Sequence, residues 1–360
     1  KFLTKMNNKR KKLLFGKKVL LMHAPFKDYS DGLWKKSECI IPPLGLLYLA
    51  SSLKKDYSVE FLDMNAETLK KEEFGKLIAA NDFFLIGCYT ESLKNVEKII
   101  EDIRACNKNP FIIVGGPYSS LTENYIKGSD ITVIGEAEQK IAEILNSIRQ
   151  GRTLIHFPGL IYNKGVKRNP GIMYVDNLDK SIFPSIELAD CSKYGFLFGI
   201  KIGNMAGIMT SRGCPFSCRF CTHRGRIKYR ERSSANVFNE IVEIRRAGYK
   251  YINIVDDNFF LNKKKVIDLM NRIIKEGMKI KIIVQARVDS VDENLCRLLR
   301  KAGVILLIFG IESANQEVLD YYNKRTTVDS IRSAVIVADR AGILTYGYLI
   351  FGAPMETQKH

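Results

Sequence analysis

Gly207-Ile208-Met209-Thr210-Ser211-Arg212-Gly213-Cys214-Pro215-Phe216-Ser217-Cys218-Arg219-Phe220-Cys221 leads from a short apolar run straight into three of the chain's eight cysteines. The C-x₃-C-x₂-C spacing puts three thiols on one loop. Iron–sulfur clusters are held by cysteine thiolates, and three of them can grip three irons of a [4Fe–4S] cube. The fourth iron then has no local protein ligand and is open to a small molecule. A structural zinc site needs four ligands. His223 is the nearest further candidate, so a Cys₃His zinc site stays open on spacing alone. A disulfide framework fits poorly. The chain has 360 residues, no signal-peptide pattern, and five remaining cysteines (Cys39, Cys88, Cys106, Cys191, Cys296) that stand singly in apolar or helical contexts. Those five read as ordinary core or surface thiols, as expected of a cytoplasmic chain.

Outward from the triplet, toward the C-terminus, short apolar runs alternate with helical patterns. Strands are expected at Gly207–Ser211, Tyr251–Asp256, Ile280–Gln285, Val304–Gly310 and Thr345–Phe351. Helices are expected at Ala235–Ala247, Lys263–Glu276, Glu293–Ala302, Gln316–Tyr322 and Asp329–Ala341. In the first of these helices Val237, Ile241 and Ile244 share one stripe. Such β/α units roll into a barrel whose chemistry sits at the carboxyl ends of the strands. The cysteine loop follows the first strand, Asp256-Asp257 the second, Arg287 the third and Glu312-Ser313 the fourth. Four polar groups therefore converge on one rim.

Toward the N-terminus a second alternation fills residues 17–150. Val19–Pro25, Val59–Met64, Phe83–Tyr89, Phe111–Gly115 and Ile131–Gly135 are apolar without strict alternation, as suits strands buried on both faces. Helical stretches separate them at Leu44–Lys54, Ala66–Ala79, Leu93–Cys106 and Gln139–Ile148, with a short one near Glu123–Lys127. The expected fold class is α/β, with an open parallel Rossmann-like (flavodoxin-like) sheet first. Its ligand belongs beyond the carboxyl ends of the strands, at His23–Phe26, Asn65–Glu67, Thr90–Ser92, Gly115–Ser119 and Gly135–Glu138. Residues 1–16 read as a basic arm carrying Lys9-Arg10-Lys11-Lys12. Residues 151–206 read as a linker with one hairpin, signalled by Asn163-Lys164-Gly165.

Composition narrows the class. Hydrophobic residues make up 46% and charged residues 26% of the chain, as in ordinary globular proteins. No apolar run is long enough for a membrane-spanning helix. The formal charge is +17, which would suit nucleic acid or anionic lipid. The lysines are scattered over helices, however, and a solvated lysine-rich surface is the simpler reading.

With Phe220 just before its last cysteine, the triplet resembles that of the radical S-adenosylmethionine (SAM) enzymes. Arg230-Glu231-Arg232-Ser233, Glu240-Ile241, Val255-Asp256-Asp257-Asn258-Phe259, Arg287-Val288-Asp289 and Gly310-Ile311-Glu312-Ser313 look like successive landmarks of their cobalamin-dependent branch. So do Gly115-Gly116-Pro117-Tyr118 and Gly135-Glu136-Ala137-Glu138. The resemblance covers most of residues 17–357. It implies a cobalamin-binding-like domain at 17–150 and a partial (β/α)₆ radical SAM barrel at 207–360. Only five of the usual six strands are present, so the resemblance implies a sixth beyond residue 360. Met355 stands where the family's turn usually has Gly.

The resemblance also implies cofactors and contacts. An open iron would chelate the amino and carboxylate groups of SAM, and electron transfer would release a 5′-deoxyadenosyl radical. Phe220 would pack against the adenine, Asp256 or Asp257 would receive the SAM ammonium, and Arg287 its carboxylate. Glu312, with Ser313 beside it, would accept from the ribose hydroxyls. For the aspartates, Glu312 and Ser313, capping of the following helices is the competing reading. Arg212 and Arg224 flank the cluster. Thr90, Ser92, Gly115, Gly116, Pro117, Gly135 and Glu136 would line the cobalamin site. The Asp-x-His-x-x-Gly motif whose His ligates cobalt in many such domains is absent, so cobalamin is expected His-off, favouring methyl transfer.

The leading expectation is a C- or P-methyltransferase acting on a small molecule or natural product, driven by a one-electron reductant such as flavodoxin or ferredoxin. A tetrapyrrole-type cyclase is the alternative of the same chemistry. A tRNA methylthiotransferase would need a further upstream cysteine set, and Cys39, Cys88 and Cys106 lie on different elements. A zinc-stabilised nucleic-acid-binding protein would need a fourth ligand and an aromatic-rich basic face. Anaerobically reconstituted protein is expected to hold about four irons per chain, and replacing Cys214, Cys218 and Cys221 with Ala to abolish them. Stoichiometric zinc without iron in elemental analysis would reject the cluster.

Overall fold

A computed structural model describes residues 15–27, 29–30, 33–34, 40–222 and 227–357. Lys9-Arg10-Lys11-Lys12, Cys39, His223 and Arg224 lie outside the described residues. The chain divides into two compact units, residues 1–176 with 181–201, and residues 177–180 with 202–360.

In the first unit the strands β1 (Lys18–His23), β2 (Ser58–Asp63), β3 (Phe83–Gly87), β4 (Phe111–Gly115) and β5 (Ile131–Val133) alternate with the helices α1 (Leu44–Leu53), α2 (Lys71–Ala80), α3 (Leu93–Cys106), α4 (Pro117–Thr122) and α5 (Ile141–Arg149). The sheet order is β2-β1-β3-β4-β5, all parallel. The strand order reverses at β1, which makes the crevice between β1 and β3 the place where an open α/β sheet takes its ligand.

The sequence shows why both faces are covered. Val19, Leu21, Phe83 and Leu85 point to one side, against Ala50, Leu53, Ile141, Ile144 and Ile148 of α1 and α5. Leu20, Met22, Phe84 and Ile86 point to the other, against Phe74, Ile78, Val96, Ile99 and Ile103 of α2 and α3. Successive strand residues alternate faces, so a strand covered on both sides reads as an unbroken apolar run.

Three expectations change here. The helix expected from Ala66 begins at Lys71, as α2. The short helix lies at Pro117–Thr122 rather than Glu123–Lys127: Pro117 supplies a preset first helical residue, and Glu123 ends the helix in the left-handed region at φ 55°. Residues 151–201, expected within a linker, are mostly part of the first unit. Their hairpin, β6 (Leu160–Tyr162) and β7 (Lys167–Arg168), continues the sheet antiparallel beyond β5. Tyr194, only 1% exposed, fills space beside Asp63.

The second unit is a five-stranded parallel sheet in sequence order. Its strands are β8 (Met205–Ile208), β9 (Tyr251–Ile254), β10 (Lys281–Arg287), β11 (Val304–Glu312) and β12 (Leu344–Leu349). Between them run α6 (Ser234–Arg246), α7 (Lys263–Lys275), α8 (Glu293–Lys301), α9 (Gln316–Tyr321) and α10 (Val328–Arg340). Caps follow the local sequence: Ser233, Asn262, Asp292, Asn315 and Thr327 each accept a backbone N–H at the start of a helix, which satisfies donors left over by the first turn. Among the described residues no helix is long and apolar enough to cross a membrane.

Two glycines test the local geometry in opposite directions. Gly135 has φ 96°, and a Cβ there would lie 2.2 Å from the Met173 carbonyl. Gly135→Ala is expected to destabilise by more than about 1 kcal/mol. Gly75 sits inside α2 with open space around it, and Gly75→Ala is expected to stabilise by about 0.5–1 kcal/mol. Denaturant midpoints of the two variants should move in opposite directions.

Candidate cluster and cofactor sites

The cysteine loop leaves the carboxyl end of β8. Cys218 is buried and Cys214 and Cys221 are half-buried, and all three are free thiols. Burial raises the Cys214 thiol above its ordinary range, and the nearby Asp257, Cys218 and Cys221 charges add to this. Such mutual repulsion between thiolates is what a bound cationic centre relieves. Among the described residues no group of three His, Cys, Asp or Glu side chains is drawn close enough to hold a single metal ion. The all-sulfur donor set suits a cube, whose irons are held by cysteine thiolates. Elsewhere burial pushes the Cys88 thiol up to about 12 and Cys296 up to about 11, as befits inert core cysteines.

The loop is tied down from the far side of the sheet. The Arg219 N–H donates to the Tyr322 carbonyl at 2.8 Å. Asn323 Nδ2 donates to Ser217 Oγ at 3.1 Å, and Tyr322 packs edge-on against Phe220 with centroids 5.4 Å apart. Asn323 and Arg325 both have left-handed backbones, at φ 51° and 57°. The tight turn they make aims the Lys324 side chain inward. Its Nζ donates to Glu312 Oε1 at 2.7 Å and lies 5.6 Å from the Phe220 ring centroid. Both charged partners are buried, and Glu312 itself is held at φ 66°. Non-glycine residues kept in that region cluster at functional sites.

The structure therefore brings Phe220, Glu312 and Ser313 to the rim with the cysteines, and adds Lys324. Nothing in Asn323-Lys324-Arg325-Thr326-Thr327 distinguishes this lysine from the many on the surface. Its role depends on a turn whose left-handed residues are not glycines. Ser313 Oγ accepts the Asn315 N–H at 3.1 Å, while Asn315 caps α9.

Arg287 and Asp256 both have partners within the chain. The Arg287 fork is already taken by Asp289 at 3.0 and 2.9 Å, and Nη2 also donates to the Lys324 carbonyl at 2.7 Å. Its guanidinium stacks over Phe216, 4.0 Å from the ring centroid. Arg287 thus braces the cysteine loop and the Lys324 turn. Asp256 is buried, which raises its carboxyl above the usual range against the hydrogen bonds that lower it. It accepts the Thr210 N–H at 2.6 Å, the Ser211 hydroxyl at 2.7 Å and the Thr210 hydroxyl. Asp257 is exposed and accepts the Gly213 N–H at 3.0 Å beside Cys214. Neither aspartate caps α7; Asn262 does. The buried Arg232–Glu240 pair joins α6 to the Met209 carbonyl, which accepts from Arg232 at 2.9 Å.

In the first unit, Thr90 and Pro117 are exposed at the carboxyl edge of the sheet. Several other expected cobalamin contacts are engaged by the chain itself. Ser92 is fully buried and its Oγ accepts the Tyr89 N–H at 3.0 Å. The Gly115 carbonyl accepts the Cys88 N–H at 2.8 Å. A Cβ on Gly116 would lie 2.9 Å from the Cys88 carbonyl. Gly135 and Glu136 meet the returning segment, where the Val175 N–H donates to Glu136 Oε2 at 2.9 Å. At the β1–β3 crevice the expected His23–Phe26 segment is joined by Tyr89, which the sequence does not mark: His23, Phe26 and Tyr89 pack edge-on with centroids 5.2–5.6 Å apart.

Comparison with known proteins agrees with both halves. Residues 208–360 match the Radical SAM superfamily and residues 32–145 the B12 binding domain. An uncharacterized methyltransferase of Pyrococcus horikoshii, PH0819, is 32% identical over 332 residues, covering 88% of this chain and 71% of that protein. The anaerobic magnesium-protoporphyrin IX monomethyl ester cyclase of Rubrivivax gelatinosus is 27% identical, covering 88% of this chain and 60% of its own length. Among solved structures, the radical SAM methyltransferase TsrM from Kitasatospora setae, with cobalamin and a [4Fe–4S] cluster bound, aligns with a TM-score of 0.72 at 18% identity, over 94% of this chain and 70% of that one. The cysteine loop on its β/α sheet, the parallel sheet before it and these matches agree: the chain belongs to the cobalamin-dependent branch of the radical SAM superfamily, whose cofactors are a [4Fe–4S] cluster, SAM and cobalamin.

Proposed function

We propose that the protein reductively cleaves SAM and uses cobalamin to methylate an unactivated carbon or phosphorus centre of a small molecule. The observation that carries this reading is the set of three free cysteines on a loop braced against the buried Glu312–Lys324 pair, in a chain that also carries a cobalamin-type sheet. Bound there, the cluster supplies one electron to SAM, and cobalamin supplies a methyl carrier. The protein's own part is to hold and orient. Cys214, Cys218 and Cys221 would hold the cluster, with cobalamin His-off at the carboxyl edge of the first sheet. Phe220 offers an aromatic face for the adenine, Asp257 an anion for the ammonium, and Glu312 an acceptor for the ribose hydroxyls. Arg287 acts through the loop that it braces. A one-electron reductant such as flavodoxin or ferredoxin and a cytoplasmic location complete the proposal.

A cyclase is the second reading, favoured by the cyclase relative that spans 88% of the chain. Product analysis separates the two. Anaerobic incubation with SAM, cobalamin, reductant and candidate substrates should yield both 5′-deoxyadenosine and S-adenosylhomocysteine from a methyltransferase. A cyclase would yield 5′-deoxyadenosine without S-adenosylhomocysteine. Absence of both products from iron-replete protein would overturn the assignment.

Lys324 gives a sharper local test. Lys324→Met leaves the Glu312 carboxylate buried without its cation, and is expected to destabilise the second unit by about 3–5 kcal/mol. Adding Glu312→Gln to the same chain should recover most of that loss in denaturant unfolding. The cysteines are untouched, so the iron content of folded protein should stay unchanged while SAM binding weakens.

A further inference from the structure

The crevice between β1 and β3 contains a polar atom that the fold leaves unsatisfied. His23, the last residue of β1, is 7% exposed. Its Nδ1 lies 2.9 Å from Asp63 Oδ1, at the end of β2. The same carboxylate accepts the Asn65 N–H at 3.0 Å and, on its other oxygen, the Tyr194 hydroxyl at 3.0 Å. A carboxylate that already collects the Asn65 and Tyr194 donors offers only an acceptor, so Nδ1 carries the proton and donates. Asn65 Nδ2 also lies 3.3 Å from Nδ1, but it makes a shorter 2.9 Å bond to the Ala24 carbonyl. In the neutral ring Nε2 is then left as a bare lone pair. It is buried and has no hydrogen-bond partner.

Buried polar groups are satisfied almost without exception, and an acceptor left bare is costly. The fold maintains this one deliberately. Asp63 fixes the tautomer. The loop after β1 is fixed as well: the Phe26 N–H donates to Asn65 Oδ1 at 2.9 Å, and Asn95 Nδ2 donates to the Pro25 and Lys27 carbonyls at 2.7 and 2.9 Å. The imidazole is walled by Phe26 and Tyr89. Phe26 is 42% exposed, so one wall is a ring that an incoming ligand can displace or cover.

We infer that His23 Nε2 accepts a hydrogen bond from a corrinoid bound in this crevice, and that Asp63 fixes the neutral tautomer that turns the Nε2 lone pair toward it. This rests on the reading of the first unit as a cobalamin carrier. The donor is an N–H or O–H: corrinoids present primary amides around the ring and, in cobalamin, hydroxyls on the nucleotide tail. Phe26 and Tyr89 supply the apolar contact beside it.

The test uses the full chain with hydroxocobalamin, and with cobinamide, which lacks the nucleotide tail. His23→Phe should bind hydroxocobalamin about tenfold more weakly, with His23→Gln in between. A penalty seen equally with cobinamide locates the donor on the ring amides; a penalty confined to cobalamin locates it on the tail. ¹⁵N-histidine spectra of the unmutated protein should show the Nδ1–H tautomer, with the Nε2 resonance moving toward the hydrogen-bonded range as cobalamin is added. That reading does not depend on whether the variants fold. Cobalamin binding with an unmoved Nε2 signal and an undiminished His23→Phe affinity overturns the inference and leaves the carrier reading intact. Imidazole nitrogen splitting in the EPR of the cob(II)alamin complex also overturns it, since the atom would then be a cobalt ligand. No binding of either corrinoid by the unmutated chain removes the carrier reading itself.

Discussion

The cysteine rim of the second unit depends on one buried ion pair. Lys324 and Glu312 arrive from different elements, are almost completely withdrawn from water, and meet at 2.7 Å. A buried charge is tolerable only when its partner is in place, so the pair forces the turn after α9 against the end of β11. That turn in turn presents the Tyr322 carbonyl to the cysteine loop and the Lys324 carbonyl to Arg287. The cysteines, the aromatic ring before the last of them and the strand ends are thereby fixed relative to one another before any ligand arrives. Preorganisation of this kind is what a site handling a reactive species requires from its protein.

Charge is balanced locally around that rim. Arg287 is matched by Asp289, Lys324 by Glu312, and Arg232 by Glu240. Asp257, exposed beside Cys214, accepts the Gly213 N–H. Burial first, and then the Asp257, Cys218 and Cys221 charges, raise the Cys214 thiol.

Most of the fold was legible because its signals are local. Doubly covered strands announce themselves as unbroken apolar runs, and α6, α7, α8 and α10 carry caps and stripes within a few residues of where they begin. The cysteine spacing was legible for the same reason. What escaped was set by distant partners. Arg287 looked like an open fork because its occupant, Asp289, was read as part of the same landmark. Asp256 looks available in the sequence because its three donors come from Thr210 and Ser211, 46 and 45 residues away. Lys324 was one lysine among many until its turn was folded. The His23–Asp63 pair joins two strand ends 40 residues apart, so no contiguous motif could announce it. The hairpin at Leu160–Arg168 was recognised, but its pairing onto β5 depends on an exposed sheet edge that no short window contains.

The chain crosses between its two compact units three times, after residues 176, 180 and 201. A nascent chain emerging from the ribosome therefore cannot finish its first unit at residue 150, where the last crossover helix ends. It must wait for Met173 to lie beside Gly135 and for Tyr194 to reach Asp63. Meanwhile Asp179 has already emerged, and its oxygen accepts the Ser233 N–H only after fifty-four further residues are made. Synthesis order and folding order are thus interleaved. A gene divided between the helix α5 and the hairpin would separate each half from residues that complete it, although the sequence there looks like a natural place to cut.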